Sequence, residues 1–141
     1  MNLTYLPAEK EDILPIFRQA KQLIDSYEDL TSIDYDKVMA WMERKITDSI
    51  GEYTCVWQDG QKAAYYHLCE DGELDDVYVL PQYRGKGIGS AIVRRCIDQS
   101  EAPLYLYVFS RNTDAIRLYA RFGFEKDQTV SKTRLILRRN G

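Results

Sequence analysis

The segment Val77-Tyr78-Val79-Leu80-Pro81-Gln82-Tyr83-Arg84-Gly85-Lys86-Gly87-Ile88-Gly89-Ser90 constrains the chain more than any other. A short apolar run of strand type stops at Pro81, and glycines follow at alternate positions. Over 86–99, Ile88, Ala91, Ile92 and Ile97 recur at helical spacing. A strand that feeds a helix through a glycine turn points to an α/β architecture. Glycines permit positive φ and close backbone approach. The helix start adds unpaired N–H groups and the positive end of its dipole. The segment is therefore shaped to receive an anion, a phosphate above all. It is not a dinucleotide fingerprint, since the glycines read GxGxG and lie two thirds along the chain. A GxxxxGK[ST] loop is absent.

The rest of the chain alternates in period. Leu3–Leu6 reads as a strand closed by Pro7. Over 9–24, Ile13, Ile16, Phe17, Ala20 and Ile24 form an amphipathic stripe. A second helix is expected over about 34–49, with Val38, Met39, Trp41, Met42 and Ile46 inward and Ser32 or Asp34 as cap. The period then falls to 2. Tyr53–Trp57 and Ala63–Cys69 flank an Asp59-Gly60 turn, and Glu73–Leu80 follows Asp71-Gly72. Leu104–Phe109 reads as a strand, 112–121 as a helix, and Phe124 onward as a final hairpin through Leu135-Ile136-Leu137. The order β-α-α-β-β-β-α-β-α-β-β implies a mixed α/β sheet. The 141 residues are read as a single domain, 1–141.

Composition excludes several classes. Hydrophobic residues make up 45% and charged residues 29%, as in an ordinary globular protein. The pI of about 5.2 argues against nucleic acid as a partner. No apolar run reaches the 18 or so residues of a membrane span. Cys55, Cys69 and Cys96 are odd in number and form no CxxC, so free thiols and a cytoplasmic location are expected. Residues 1–70 hold 13 acids and 7 bases, while 71–141 hold 9 and 12. Eleven of the aromatic residues are Tyr, a residue suited to a half-wet groove.

Two motifs together resemble a known family. Arg84-Gly85-Lys86-Gly87-Ile88-Gly89 is similar to the (Q/R)xxGx(G/A) signature of the GNAT N-acetyltransferase superfamily. Asn112 to Phe124, with Asn112, Ala115, Tyr119, Gly123 and Phe124 in place, resembles its NxxAxxxYxxxGF helix. The resemblance implies a mostly antiparallel central sheet flanked by helices, with acetyl-CoA as cosubstrate and no metal. It implies that the backbone of Val77, Tyr78 and Val79 pairs with the pantetheine arm. The segment Arg84, Gly85, Lys86, Gly87, Ile88, Gly89 and Ser90 would hold the pyrophosphate, with the amides of 85–90 as donors. Asn112 would touch the pantetheine or order the site, and Tyr119 would face the thioester sulfur.

Amine acetylation has three demands. A Lys-type amine of pKa about 10.4 must lose a proton. The carbonyl oxygen needs a hydrogen-bond donor, by resemblance the Val79 amide. The leaving sulfur needs a proton, which a phenol such as Tyr119 can give. Tyr119 lies seven residues after Asn112, two turns along one helix face. Candidate bases are Glu73, at the position of the base in histone-type members, and Asp75, at an acidic position of aminoglycoside-type members. Strand alternation puts both on one face and Asp76 on the other, unless a bulge intervenes. Tyr107 stands where ribosomal-protein-type members carry Glu, which weakens a protein N-terminus reading. His67 is expected to be structural.

Asp25, Glu28, Asp29, Asp34 and Asp36, with Tyr27 and Tyr35, suit a cationic acceptor and equally suit a plain solvated acidic loop. The resemblance implies acetyl transfer to a primary amine, and a small cationic molecule is the expected acceptor. A peptide or protein amine, or a silent acyl-CoA-binding sensor, are the alternatives. Oligomeric state stays open, a homodimer included.

Overall fold

The computed structural model describes residues 1–140. Among them, seven strands and four α-helices follow in the expected order: β1 (Leu3–Pro7), α1 (Ile13–Tyr27), α2 (Tyr35–Ser49), β2 (Thr54–Gln58), β3 (Gln61–Leu68), β4 (Leu74–Val79), α3 (Ile88–Gln99), β5 (Tyr105–Phe109), α4 (Thr113–Ala120), β6 (Phe124–Thr129) and β7 (Arg134–Arg139). The strands form two antiparallel sheets, β1-β2-β3-β4 and β5-β7-β6. One parallel bridge, Glu73 to Tyr105, joins them, with Tyr105 N donating to Gly72 O at 3.0 Å. Beyond that bridge β4 and β5 part.

Gly72 explains how the two edges meet. Its φ is +97°, and a Cβ there would lie 2.3 Å from the Pro103 carbonyl oxygen. Only a residue without a side chain lets the loop before β5 lie against the start of β4.

Pleat alternation divides the core. Cys55 and Tyr65 face one side, with Ile16 and Ala20 of α1 and Met42 and Ile46 of α2. Val56, Ala64 and Tyr66 face the other, against Ile88, Ile92 and Cys96 of α3. Trp41 departs from expectation. Spacing places it inward, yet it is 54% exposed and carries the Lys45 ammonium 5.5 Å from its ring centroid. Asp34, not Ser32, caps α2, its Oδ1 accepting from Lys37 N at 3.3 Å.

Candidate active site

The parting of β4 and β5 leaves a cleft of about 390 Å³. Its walls come from α1, α2, β4, β5, α4 and the start of β7. Register fixes which β4 groups face it. Leu80 N donates to Ala63 O, and Tyr78 pairs with Tyr65. By antiparallel alternation Tyr78 and Leu80 turn their backbone to β3, while Val77 and Val79 turn theirs to the open edge. The Val79 carbonyl is taken by Arg84 Nε at 2.9 Å. Its N–H, with both backbone groups of Val77, remains on the edge that parts from β5.

The glycine turn lies at the end of that edge. Gly85 and Gly87 have φ of +77° and +88°, and a Cβ on either would meet nothing within 4 Å. Glycine is required there for conformation, and the space before the turn is open. Residues 84–87 are exposed. The first intrahelical bond of α3 is Ala91 N to Gly87 O at 3.0 Å, so the amides of Ile88, Gly89 and Ser90 have no helical acceptor. Gly89 differs, since a Cβ would touch Leu118 and Val79 at 3.5 and 3.8 Å. The Arg84 side chain ties the turn to Val79 and to Gln19, its Nη2 donating at 3.1 Å. Lys86 packs on the Tyr83 ring. The backbone of this segment, rather than its side chains, is thus the part free to receive an anion.

Asn112 and Tyr119 both line the cleft. Asn112 also caps α4, its Oδ1 accepting from Ala115 N at 3.3 Å. Tyr119 is buried edge-on to Phe124, and its hydroxyl has no hydrogen-bond partner among the described residues. Burial holds its pKa above the ordinary value, with the Cys96 thiol adding to the effect.

The acidic strand corrects the alternation expectation. His67 pairs with Asp76 and Leu68 with Leu74, so Asp75 is the extra residue of a bulge. Asp75 turns to two partners: Lys45 Nζ at 2.7 Å from its Oδ2, and His67 Nδ1 at 3.1 Å. Burial opposes its charge, but the bonds from His67 and Lys45 outweigh burial and lower its pKa. Asp76 accepts from the hydroxyls of Tyr53 and Tyr78. Burial and the Asp75 charge raise its pKa. Glu73 is half-buried and lines the cleft, and burial followed by the Asp75 charge raises its pKa as well. His67 is buried, stacked on Tyr53 with centroids 4.7 Å apart.

Two cations in the cleft wall, Lys45 and Arg134, are not singled out by motif or spacing. The available signal for the first is its place in α2, four residues after Trp41 and next to the inward Ile46. The acidic segment is mostly spent on itself. Asp25 binds Lys21 and the Tyr35 hydroxyl, Asp29 binds Thr31, and Asp34 is a cap. Only Glu28 of that group lines the cleft.

Comparison with known proteins decides the family. Residues 14–124 match the acetyltransferase (GNAT) family. The chain belongs to the GNAT family. It is 34% identical over 65 residues to an uncharacterized N-acetyltransferase of Methanocaldococcus jannaschii, covering 43% of this chain and 29% of that protein. It is 36% identical over 72 residues to the thialysine N-epsilon-acetyltransferase of Mus musculus, covering 48% and 42%. The spermine/spermidine N(1)-acetyltransferase of Bacillus subtilis is 37% identical over 57 residues, covering 37% and 38%. The chain thus spans less than half the length of these relatives. Its fold matches the PaiA N-acetyltransferase of Thermoplasma acidophilum, solved with coenzyme A, at a TM-score of 0.72, 16% identity and full coverage of both chains. It also matches an N-acetyltransferase of Staphylococcus aureus at 0.74 and 14%, covering 96% and 99%.

Proposed function

We propose that this GNAT chain is an acetyl-CoA-dependent N-acetyltransferase acting on a primary amine of a small cationic molecule by direct attack in a ternary complex. One observation carries the reading: a single cleft holds Glu73, Tyr119 and Val77 of the open β4 edge, and that edge continues through Val79 into the anion-shaped turn before α3. The turn fits a pyrophosphate, because room lies open before Gly85 and Gly87 and three α3 amides lack acceptors. Val77, Val79 and the amides of 85–90 would hold the cosubstrate. Bound there, acetyl-CoA supplies an acetyl group activated as a thioester.

The chain's own residues then have separable tasks. Glu73 takes the proton of the incoming ammonium, directly or through water, since its raised pKa makes it a stronger base than a free carboxylate. Asp75 is the weaker candidate for that task, because Lys45 and His67 stabilise its ionised form. It positions Lys45 and His67 instead. The Val79 amide donates to the acetyl oxygen as charge develops. The amine nitrogen bonds to the carbonyl carbon, the carbon–sulfur bond breaks, and the Tyr119 hydroxyl hydrogen-bonds to the departing sulfur and protonates it. The second proton that the nitrogen sheds on becoming an amide restores the Tyr119 phenol.

Glu28, Glu73, Asp75 and Asp76 outnumber Lys45 and Arg134 around the cleft, which favours an acceptor that arrives as a cation. Among relatives, the thialysine and spermine/spermidine enzymes carry names of basic amines. The three cysteines are unpaired, which supports a reducing, cytoplasmic setting. Among the described residues no helix is long and apolar enough to cross a membrane.

Acetyl-CoA at 100 times its Kd should stabilise the protein by about 2.7 kcal/mol, read as a rise in Tm. Gly87→Asp places a carboxylate before the turn and should abolish that rise. CoA release with an amine panel then tests transfer. Absence of any acetyl-CoA binding by the wild-type protein would overturn the assignment.

A further inference from the structure

Arg134 opens β7 opposite Phe109 of β5 and lines the same cleft as Glu73 and Tyr119. Its guanidinium lies 5.1 Å from the Tyr107 ring centroid and 5.6 Å from that of Phe109. Two rings on one side of the strand hold the guanidinium against the cleft wall. Among the described residues no carboxylate forms an ion pair with it, and its Nε is buried without a hydrogen-bond partner. The other buried polar atom in that condition, Gln58 Oε1, belongs to a residue that does not line the cleft.

An orphaned donor in a buried place is costly. The fold also keeps the nearby acid away from it. Glu28 lines the cleft too, but its Oε1 accepts from the Thr133 hydroxyl and from Asp29 N. Arg134 is therefore a half-buried cation, packed on two rings and with no acceptor for its donors among the described residues, in the cleft proposed to hold the acceptor. A guanidinium of this kind matches a planar carboxylate through paired N–H donors.

We infer that Arg134 binds a carboxylate of the acceptor, which makes the acceptor an amino acid type: an amine at one end for Glu73 and the thioester, and a carboxylate at the other for Arg134. A lysine-like molecule, with two ammonium groups and one carboxylate, satisfies this and remains a net cation. The inference rests on the acetyltransferase reading and narrows its substrate.

The test compares each ω-amino acid from β-alanine to 6-aminohexanoate, and lysine, with the same amine lacking the carboxylate. For the best-fitting pair, kcat/KM for the carboxylate-bearing acceptor should exceed that of its partner by roughly tenfold or more, the worth of a charge-assisted hydrogen bond. In Arg134→Gln that ratio should fall toward one. Arg134→Lys should keep part of it, since the charge survives and the paired geometry does not. A wild-type ratio at or below one for every pair overturns the inference, as does a ratio that survives in Arg134→Gln. If the Gln variant fails to fold, the wild-type ratio and its reduction in the Lys variant decide. If no acceptor turns over, calorimetric Kd values of the same pairs on acetyl-CoA-loaded protein decide by the same ratio. Failure to bind acetyl-CoA at all counts against the acetyltransferase reading and leaves the Kd comparison on the unloaded protein to judge the anion site.

Discussion

Lys45 of α2 holds both carboxylate oxygens of Asp75, at 2.8 Å for Oδ1 and 2.7 Å for Oδ2, from one helix turn beyond Trp41. The contact ties a helix that walls the cleft to the bulge in β4. Burial acts against the ammonium, yet the charges of Asp76, Asp75 and Glu73 outweigh it and raise the Lys45 pKa. Asp75 and Lys45 are both largely shielded, at 12% and 31% side-chain exposure, so the pair belongs between surface and buried ion pairs in strength.

Lys45→Met should therefore destabilise the protein by about 1–3 kcal/mol, measured by urea unfolding. It should also shift the pH–rate profile. Burial and the Asp75 charge raise the Glu73 pKa, and the Lys45 charge works against them. Removing Lys45 raises that pKa further. The acidic limb of kcat/KM should move to higher pH. A limb that stays in place would separate Glu73 from the proton transfer.

Gly72→Ala tests the junction of the sheets. The new methyl would meet the Pro103 carbonyl at 2.3 Å, and its φ of +97° is unfavourable for alanine. The loss should be about 2 kcal/mol or more, seen as a lower denaturant midpoint. Gly87→Ala is the control. Its φ is +88° but nothing lies within 4 Å, so it should lose only about 1–2 kcal/mol.

Which of these contacts could be read in the sequence follows from their range. Hydrophobic period and turn residues are local, and they place all eleven elements in order. The Arg84–Gly89 turn and the Asn112–Tyr119 spacing are also local, and both sets of residues border one edge of β4 or its cleft. The Asp75 bulge is not local. It depends on how β3 and β4 register, and no turn residue announces it. Lys45 with Asp75 is a contact 30 residues apart, and Arg134 meets Tyr107 and Phe109 only once β7 lies beside β5. Composition misleads at the acidic segment, because counting carboxylates does not show that Asp25, Asp29 and Asp34 bind their own neighbours.

Asp12 gives a stability test remote from the cleft. It is 2% exposed and accepts from Lys62 Nζ and the Tyr65 hydroxyl, each at 2.8 Å, and from Glu9 N at 2.8 Å. Burial opposes its charge, but these bonds outweigh burial and lower its pKa. A depressed folded pKa contributes stability above the unfolded value of about 3.9, and that stability is lost as pH falls below it. Asp12→Asn should cost about 1–3 kcal/mol at pH 7 and less at pH 3. Unfolding curves at both pH values should show the gap between variant and wild type narrowing in acid. A gap that is constant with pH would mean that the Asp12 charge adds nothing to stability.

Tyr119→Phe addresses the leaving group. The substitution keeps the ring and its edge contact with Phe124, and the lost hydroxyl has no partner to strand among the described residues. Stability should change by less than about 0.5 kcal/mol, and the Tm rise with acetyl-CoA should persist. Turnover should fall, because the hydroxyl is the group proposed to meet the departing sulfur. General acid groups contribute on the order of 10²–10⁴-fold. Burial holds the Tyr119 pKa above its ordinary value, while a thiolate has a pKa of about 8.5. Full proton transfer from phenol to sulfur is therefore uphill, and much of the effect must come from a hydrogen bond that strengthens as charge develops. The expected loss in kcat lies near the lower end, about 10²-fold. Single-turnover measurement isolates the chemical step from product release. An unchanged single-turnover rate in the Phe variant would remove Tyr119 from the mechanism and leave water as the source of the proton.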